Sequence, residues 1–449
     1  MKKLIVLLLV AILSMTMLFA AAANEAQKET KSDTYPKGSI LVWSTGQPQY
    51  RDMFYSQWLD EHRDIAPEVK SEYEIIANQA AGMQKIAAYE MAGDKDSMPE
   101  IIMLDPVGVL DLASQGLLQD LTDFYAPIAD QFVEGAANDC TIDGKVYALP
   151  DSVRPQLLYY NADIFEQYDI DPAMMSTFDG YLEAGRLLKE RSNGTVYLSY
   201  VDPGSNTWRY WGRRGLMPQA NARIWDENGN VVIGSDEGTK LALGFFDKLM
   251  QEGLLYKTTI LKPPIYEATD EGKIATFYIG AFWDEFMRKN LTATAGSWRV
   301  MNAPIFPEIG TGGAPVTNTF CFVNTGSNEY TGLFEQIWYD FQCNTEKRNT
   351  WVAEVDKLNG PYSNPICKEV LADPFWQEPS DFYGGQSFRK AEADGLNNPS
   401  KNLRVTASDA EADIIISAEI EKYVAGEQTM EQAIANMDKE LKLKIGVAK

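Results

Sequence analysis

Histidine is nearly missing from this chain: His62 is the single one among 449 residues. It stands between Glu61, Arg63 and Asp64, near the expected exposed end of a helix, and reads as a solvated surface side chain. A histidine-dependent triad and a multi-histidine metal site are thereby excluded. Cysteine is scarce too, with Cys140, Cys321, Cys343 and Cys367 forming neither a Cys-x-x-Cys pair nor a zinc spacing. A Cys343–Cys367 bridge and four buried thiols both fit those positions. Basic charge is short: 40 Lys and Arg face 64 Asp and Glu, a net charge of −24. Such a field repels phosphate backbones and anionic lipid, so nucleic acid is not an expected partner. There is no Gly-x-Ser-x-Gly elbow, Walker loop, His-Glu-x-x-His or dinucleotide Gly-x-Gly-x-x-Gly. No cofactor and no metal is therefore expected. A glycosidase needs only two carboxylates, and that reading stays open.

Long apolar runs are equally rare. Leu4 to Leu13 follows Lys2 and Lys3 and precedes the small residues Ala20 to Ala23. This order of charge, short apolar core and small residues predicts a secretory signal over 1–23. The run is too short to span a membrane. With no cysteine near the cleavage region, the mature protein is expected to be soluble, exported to the bacterial periplasm and not a lipoprotein. Residues 24–38 form a polar leader.

What is present is an alternation of short strands and helices. Ile40 to Trp43, Val69 to Ile76 and Ile101 to Leu104 read as strands. Tyr50 to His62 reads as a helix, Asn78 can cap a second, and Asp105-Pro106 starts a third with Asp at the N-cap and Pro at N1. This order predicts a largely parallel α/β sheet, with ligands just past the carboxyl ends of its strands. Ile224 to Asp226 and Val231 to Ile233 flank Asn228-Gly229, a hairpin turn. Asp226, Asn228 and Asn230 resemble a calcium loop but lack the glutamate at its twelfth position. Ser235 is expected to cap the helix that Gly253 closes.

Several segments resemble, in order, the extracellular solute-binding proteins of ATP-driven (ABC) sugar importers, the group that includes maltose-binding protein. Asp143-Gly144-Lys145-Val146-Tyr147-Ala148-Leu149-Pro150 with Tyr160-Asn161 is similar to the family's Gly-x-x-Tyr-Ala-x-Pro segment and Tyr-Asn pair. Trp225 to Asn230 with the capped helix, and Gly272 to Phe277 leading to Gly280-Ala281-Phe282-Trp283, resemble its hairpin and its Gly-x-Trp strand. Gly360-Pro361-Tyr362-Ser363 resembles its late Gly-x-x-Pro loop, with Pro here directly after Gly. The resemblance implies a two-lobed periplasmic-binding-protein fold, each lobe a mostly parallel sheet flanked by helices, with several crossing segments. One lobe is expected over 39–149 plus 281–323 and the other over 150–280 plus 324–449. It further implies a monomer that is not an enzyme, holds a carbohydrate between the lobes and meets the transmembrane permease subunits of an ABC importer.

Sugars offer C–H faces flanked by hydroxyls, so their sites combine aromatic planes with planar polar groups. The candidates are Trp43 and Gln47 after the first strand, Gln79 at a helix start, and Asp105, which the cap alone also explains. Arg154 follows the expected crossing and serves either a ligand or an ion pair. Trp208 and Trp211 cluster after Pro203-Gly204. Trp283 and Asp284 would form a face and a rim, with Trp283 as a core residue the alternative, and Tyr362 lies on the late loop. Arg154, Arg213 and Arg214 also suit a carboxylate-bearing sugar such as a uronic acid.

Overall fold

The computed structural model describes residues 34–358 and 360–448; the signal expected over 1–23 and the leader up to residue 33 lie outside the described residues. In chain order the elements that matter are β1 (Gly38–Ser44), α1 (Pro48–Glu61), β2 (Val69–Ile75), α2 (Gln79–Ala92), β3 (Ile101–Leu104) and α3 (Pro106–Ser114). The long strand β4 (Ala148–Asn161) follows, then α4 (Phe178–Arg191), α5 (Glu237–Gln251), β5 (Thr276–Gly280), α6 (Trp283–Asn290), β6 (Trp298–Asn302) and β7 (Pro315–Phe322). The last helices are α7 (Thr331–Cys343), α8 (Thr345–Lys357), α9 (Asp409–Ala425) and α10 (Met430–Lys444).

The early elements form where local chemistry places them. Asn78 accepts a hydrogen bond from Ala81 N, and Asp105 accepts one from Gly108 N with Pro106 in the first turn. Each satisfies a helix-start N–H that would otherwise lack a partner. Two details differ from expectation. α5 is capped by Asp236, which takes the Thr239 N–H, in place of Ser235. The expected hairpin is a single bridge, Trp225 to Val231, because the Asp226 carboxylate gathers the N–H groups of Asn228 and Asn230 into a compact turn.

One curled seven-stranded sheet runs through the molecule in the order β6-β4-β7-β3-β1-β2, with β5 also paired to β4. Parallel pairing is confined to β2-β1-β3, while β7 and the β4 pairs are antiparallel. The sheet is mixed because β4 and β7 cross between lobes and meet their neighbours head to tail. β4 pairs β7 through its first half and β5 and β6 through its second. At this crossing a Cβ on Gly313 would collide with the Gln156 carbonyl, so glycine permits the close approach.

Two sets of buried side chains mark the lobes, and they correct the expected boundaries. Trp283, Met287, Trp298, Val300 and Phe306 pack with Tyr159, Phe178, Trp211 and Ile416 in the second lobe. Leu333, Trp338, Phe341, Trp351 and Trp376 pack with Val42, Phe54 and Trp58 in the first. Residues 281–306 therefore belong to the second lobe and 333–376 to the first. The physical reason is β6: it pairs with the second half of β4, so the chain recrosses only with β7, and α7 and α8 follow β7 into the first lobe. A further crossing lies between Trp376 and Tyr383, which fall in different cores.

Candidate binding cleft

At the carboxyl ends of β1 and β3, where the crossing strands leave the first lobe, lies a cavity of about 490 Å³. The first lobe contributes the Ser44-Thr45-Gly46-Gln47 loop, Tyr50 and Arg51 at the start of α1, and Gln79 at the start of α2. Asp151, Ser152, Arg154 and Asn318 come from the crossing strands, and Phe282, Glu285, Phe286 and Lys289 from the second lobe. Pro361, Tyr362 and Ser363 close one side. A larger cavity of about 900 Å³ touches the opposite face of the crossing strands, through Val153, Pro315 and Thr317. The two-residue alternation of a strand explains the division, since Arg154 and Asn318 point the other way. The smaller cavity is the one flanked by strand ends, helix starts and aromatic rings of both lobes, where an open α/β sheet receives ligands.

Its charges are mostly spoken for. Arg51 pairs with the fully buried Asp151. Arg154 Nε donates to Glu392 at 2.6 Å and Nη2 to the Ala281 carbonyl at 2.8 Å. Burial opposes the charge on Arg154, but Glu392 and Glu285 hold its pKa above the ordinary value. Arg288, one turn along α6, joins Asp284 at 3.0 Å to Asp356 of the first lobe at 2.8 Å. Its guanidinium lies 4.9 Å from the Tyr362 ring centre. At the cleft edge Arg214 reaches Asp105 across the lobes at 3.5 Å. Glu285 is different: it lines the cavity with its pKa pushed up to about 7 by burial and the neighbouring Asp284, with Arg154 acting the other way.

A family model described as bacterial extracellular solute-binding protein matches residues 29–329. The chain belongs to that family. This solute-binding protein is 24% identical over 277 residues to an arabinooligosaccharide-binding protein of Halalkalibacterium halodurans, a match over 59% of this chain and 58% of that one. It is 23% identical over 366 residues to a lactose-binding protein of Rhizobium radiobacter, covering 76% and 78% of the two chains. A binding protein associated with an ABC transporter from B. animalis subsp. lactis, solved with β-1,6-galactobiose, shares the fold with a TM-score of 0.72 at 20% identity. That likeness covers 90% of this chain and 97% of the other.

Four of the residues anticipated for the ligand, Gln47, Gln79, Arg154 and Tyr362, come together in the cavity of this binding protein. The other six do not line it. Trp43 is buried in the first-lobe core, although Lys85 Nζ sits 4.3 Å from its ring. Asp105 caps α3, donates its N–H to Gln79, and borders a small adjoining pocket with Arg214. Trp208 is buried and donates to Asp413 at 2.7 Å. Trp211 packs among Tyr200, Phe246 and Tyr278. Trp283 is fully buried, with ring centres 5.8 Å from both Tyr266 and Phe286 and 5.2 Å from Phe277. Asp284 is buried and spent on Arg288 and the Tyr383 hydroxyl. The tryptophan and its neighbour are therefore structural, and the open positions fall beside them on Phe282 and Glu285. Tyr50, Arg51, Phe286 and Lys289 were also not anticipated. Arg51 lies four residues, about one turn, beyond Gln47, which would have exposed it. Phe282, Glu285, Phe286 and Lys289 recur at three- and four-residue spacing, the mark of one helical face.

Proposed function

We propose that this protein captures a neutral carbohydrate in the interlobe cavity, closes its lobes over it, and presents it to the membrane permease of an ABC importer. One observation carries the reading: Tyr50, Phe282, Phe286 and Tyr362 bring aromatic surfaces from both lobes to a cavity also lined by Gln47, Gln79, Asn318 and Glu285. Flat faces suit the C–H side of a sugar ring, and planar amides and a carboxylate suit its hydroxyls. The sugars named for the relatives agree with this choice. Neutrality follows from the arginines. Arg154, Arg213 and Arg214 each face a carboxylate of the protein, so none waits for a uronic acid. The export route and the monomeric state belong to the same reading. No helix among the described residues is long and apolar enough to cross a membrane.

Calorimetry against neutral di- and oligosaccharides tests the proposal. Saturable binding with the sugar recovered intact is expected, whereas cleavage of the sugar would favour the glycosidase reading. Phe282→Ala and Tyr362→Ala should each cost about 1–3 kcal/mol of binding, the range for buried aromatic anchors. Binding unchanged in both would remove the cavity from consideration.

Glu285 adds a pH signature. Its ionised form is favoured only above about pH 7, and a carboxylate accepts hydroxyl hydrogen bonds more strongly than a neutral acid. Affinity for a neutral sugar should fall about fivefold between pH 8 and pH 6, the difference between a charged and a neutral hydrogen bond. Glu285→Gln should flatten that profile. A flat profile in the unmodified protein would show that Glu285 does not touch the ligand.

A further inference from the structure

The cavity wall at Tyr362 is held by both lobes. Its backbone is fixed from the first: Arg348, fully buried on α8, donates from Nη2 to the Ser363 carbonyl at 2.9 Å. Tyr362 itself packs in the first-lobe core with Trp351, Val352 and Val355 of the same helix. The ring is held from elsewhere. The Arg288 guanidinium lies over it, 4.9 Å from its centre, and that of Arg389 lies 5.3 Å from it. Arg288 is on α6, whose Trp283 and Met287 enter the second-lobe core. Arg389 is on the short helix Phe388–Asp394, whose Phe388 enters that core too.

Each guanidinium is fixed in its turn. Arg288 is joined to Asp284 and Asp356 as described above, and Arg389 Nη1 donates to the Phe375 carbonyl at 2.7 Å. A cation over an aromatic face is attracted by the ring quadrupole, the more so where water is kept away. Tyr362 and both arginines are largely removed from water.

We propose that Arg288 and Arg389 are positioning residues for Tyr362, setting the orientation of its ring from the second lobe while the first fixes its backbone. The platform is then complete when the two lobes meet. Tyr362 lines the cavity and neither arginine does, so both act through the ring and not by touching the solute. A ring already held in place loses little freedom when a sugar stacks on it, and that saving appears as affinity. The proposal rests on the reading that Tyr362 meets the sugar.

The test first screens maltose, cellobiose, lactose and raffinose by calorimetry, then runs a double-mutant cycle with the one that binds tightest. Tyr362→Ala alone asks whether the ring meets the sugar. Arg288→Met and Arg389→Met should each weaken binding about fivefold, the size of a partly desolvated cation–ring contact. Neither should weaken binding further in the Tyr362→Ala protein, because the contact is already gone. Arg288→Lys, which keeps a cation, should bind more tightly than Arg288→Met. Asp356→Asn, which breaks the interlobe ion pair but leaves the cation, should cost less than Arg288→Met. If Arg288→Met folds poorly, Arg389→Met carries the cycle.

Parental affinity in both arginine variants, or a loss that persists beside Tyr362→Ala, would overturn the proposal and leave the sugar reading standing. Parental affinity in Tyr362→Ala would overturn both. A sugar-free arm uses fluorotyrosine-labelled protein and fluorine magnetic resonance. The signal that disappears in Tyr362→Phe should shift in Arg288→Met and in Arg389→Met. A signal unmoved in both would overturn the proposal whichever sugar binds.

Discussion

Trp283→Ala should unfold at markedly lower urea concentration, losing about 3–5 kcal/mol, while sugar affinity measured on the folded fraction stays near that of the parent. The magnitude is that of deleting a buried aromatic side chain and leaving the cavity behind. Trp283 has no exposed surface and stacks on Tyr266 and Phe286 within the second-lobe core. Its position one residue past Phe282 matters: the helix start of α6 turns successive side chains to different sides, so one aromatic enters the core and its neighbour reaches the cleft. Trp283→Phe, which fills more of the space, should lose less. A Trp283→Ala protein of near-parental stability that no longer binds sugar would show the opposite assignment to be right.

Arg154→Met is the second large effect. Arg154 and Glu392 are both buried and joined at 2.6 Å. Removing the arginine leaves a buried carboxylate alone, which costs about 3–5 kcal/mol. It also frees the Ala281 carbonyl beside Phe282, so affinity should fall as well. The sign with pH follows from Glu392, whose pKa burial already raises, with Arg154 acting against that rise. Without Arg154 the folded state holds the Glu392 proton to higher pH than the unfolded chain does. The variant is then most stable below the ordinary carboxylate range and loses stability as pH climbs through the folded pKa. Chemical denaturation at pH 5 and pH 8 measures this, with the larger deficit expected at pH 8. A double variant, Arg154→Met with Glu392→Leu, should recover much of the loss, because a buried pair replaced by apolar groups is often neutral. Equal deficits at both pH values would mean that Glu392 finds another partner.

The pairing of Arg154 also explains why part of the cleft was hard to see. A lone arginine after a crossing strand suits a ligand or an ion pair equally well until its partner is known. Glu392 stands 238 residues away, and no local pattern links the two. Arg213 meets Asp409 and Asp413, some 200 residues on, in the same way. These distant carboxylates occupy the arginines that the sequence left open to an acidic sugar, and this is why the proposed ligand is neutral.

Local chemistry, by contrast, was legible. The Asp105-Pro106 start, the Asn78 cap and the strands 101–104 and 69–75 follow from interactions within a turn or between adjacent residues. Gln47 and Gln79 were found because a strand end or a helix start places its side chain outward whatever the rest of the chain does. The lobe boundaries were not legible, since whether β6 pairs with β4 or returns to the first lobe depends on strands far apart in sequence.

From the sequence by itself came the class of molecule: an acidic, histidine-poor α/β chain whose ordered motifs resemble a solute-binding family, with the ends of its first strands as the expected place for a ligand. Only the tertiary structure decided which of two neighbouring aromatics is open, placing Trp283 inside and Phe282 in the cleft, and which charges are paired, tying up the arginines while Glu285 and Lys289 line the cavity without an ion pair. The reason is range. Caps and periodicities act over a few residues, whereas burial and ion pairing at an interlobe cleft are set by partners the chain brings together only after it has folded.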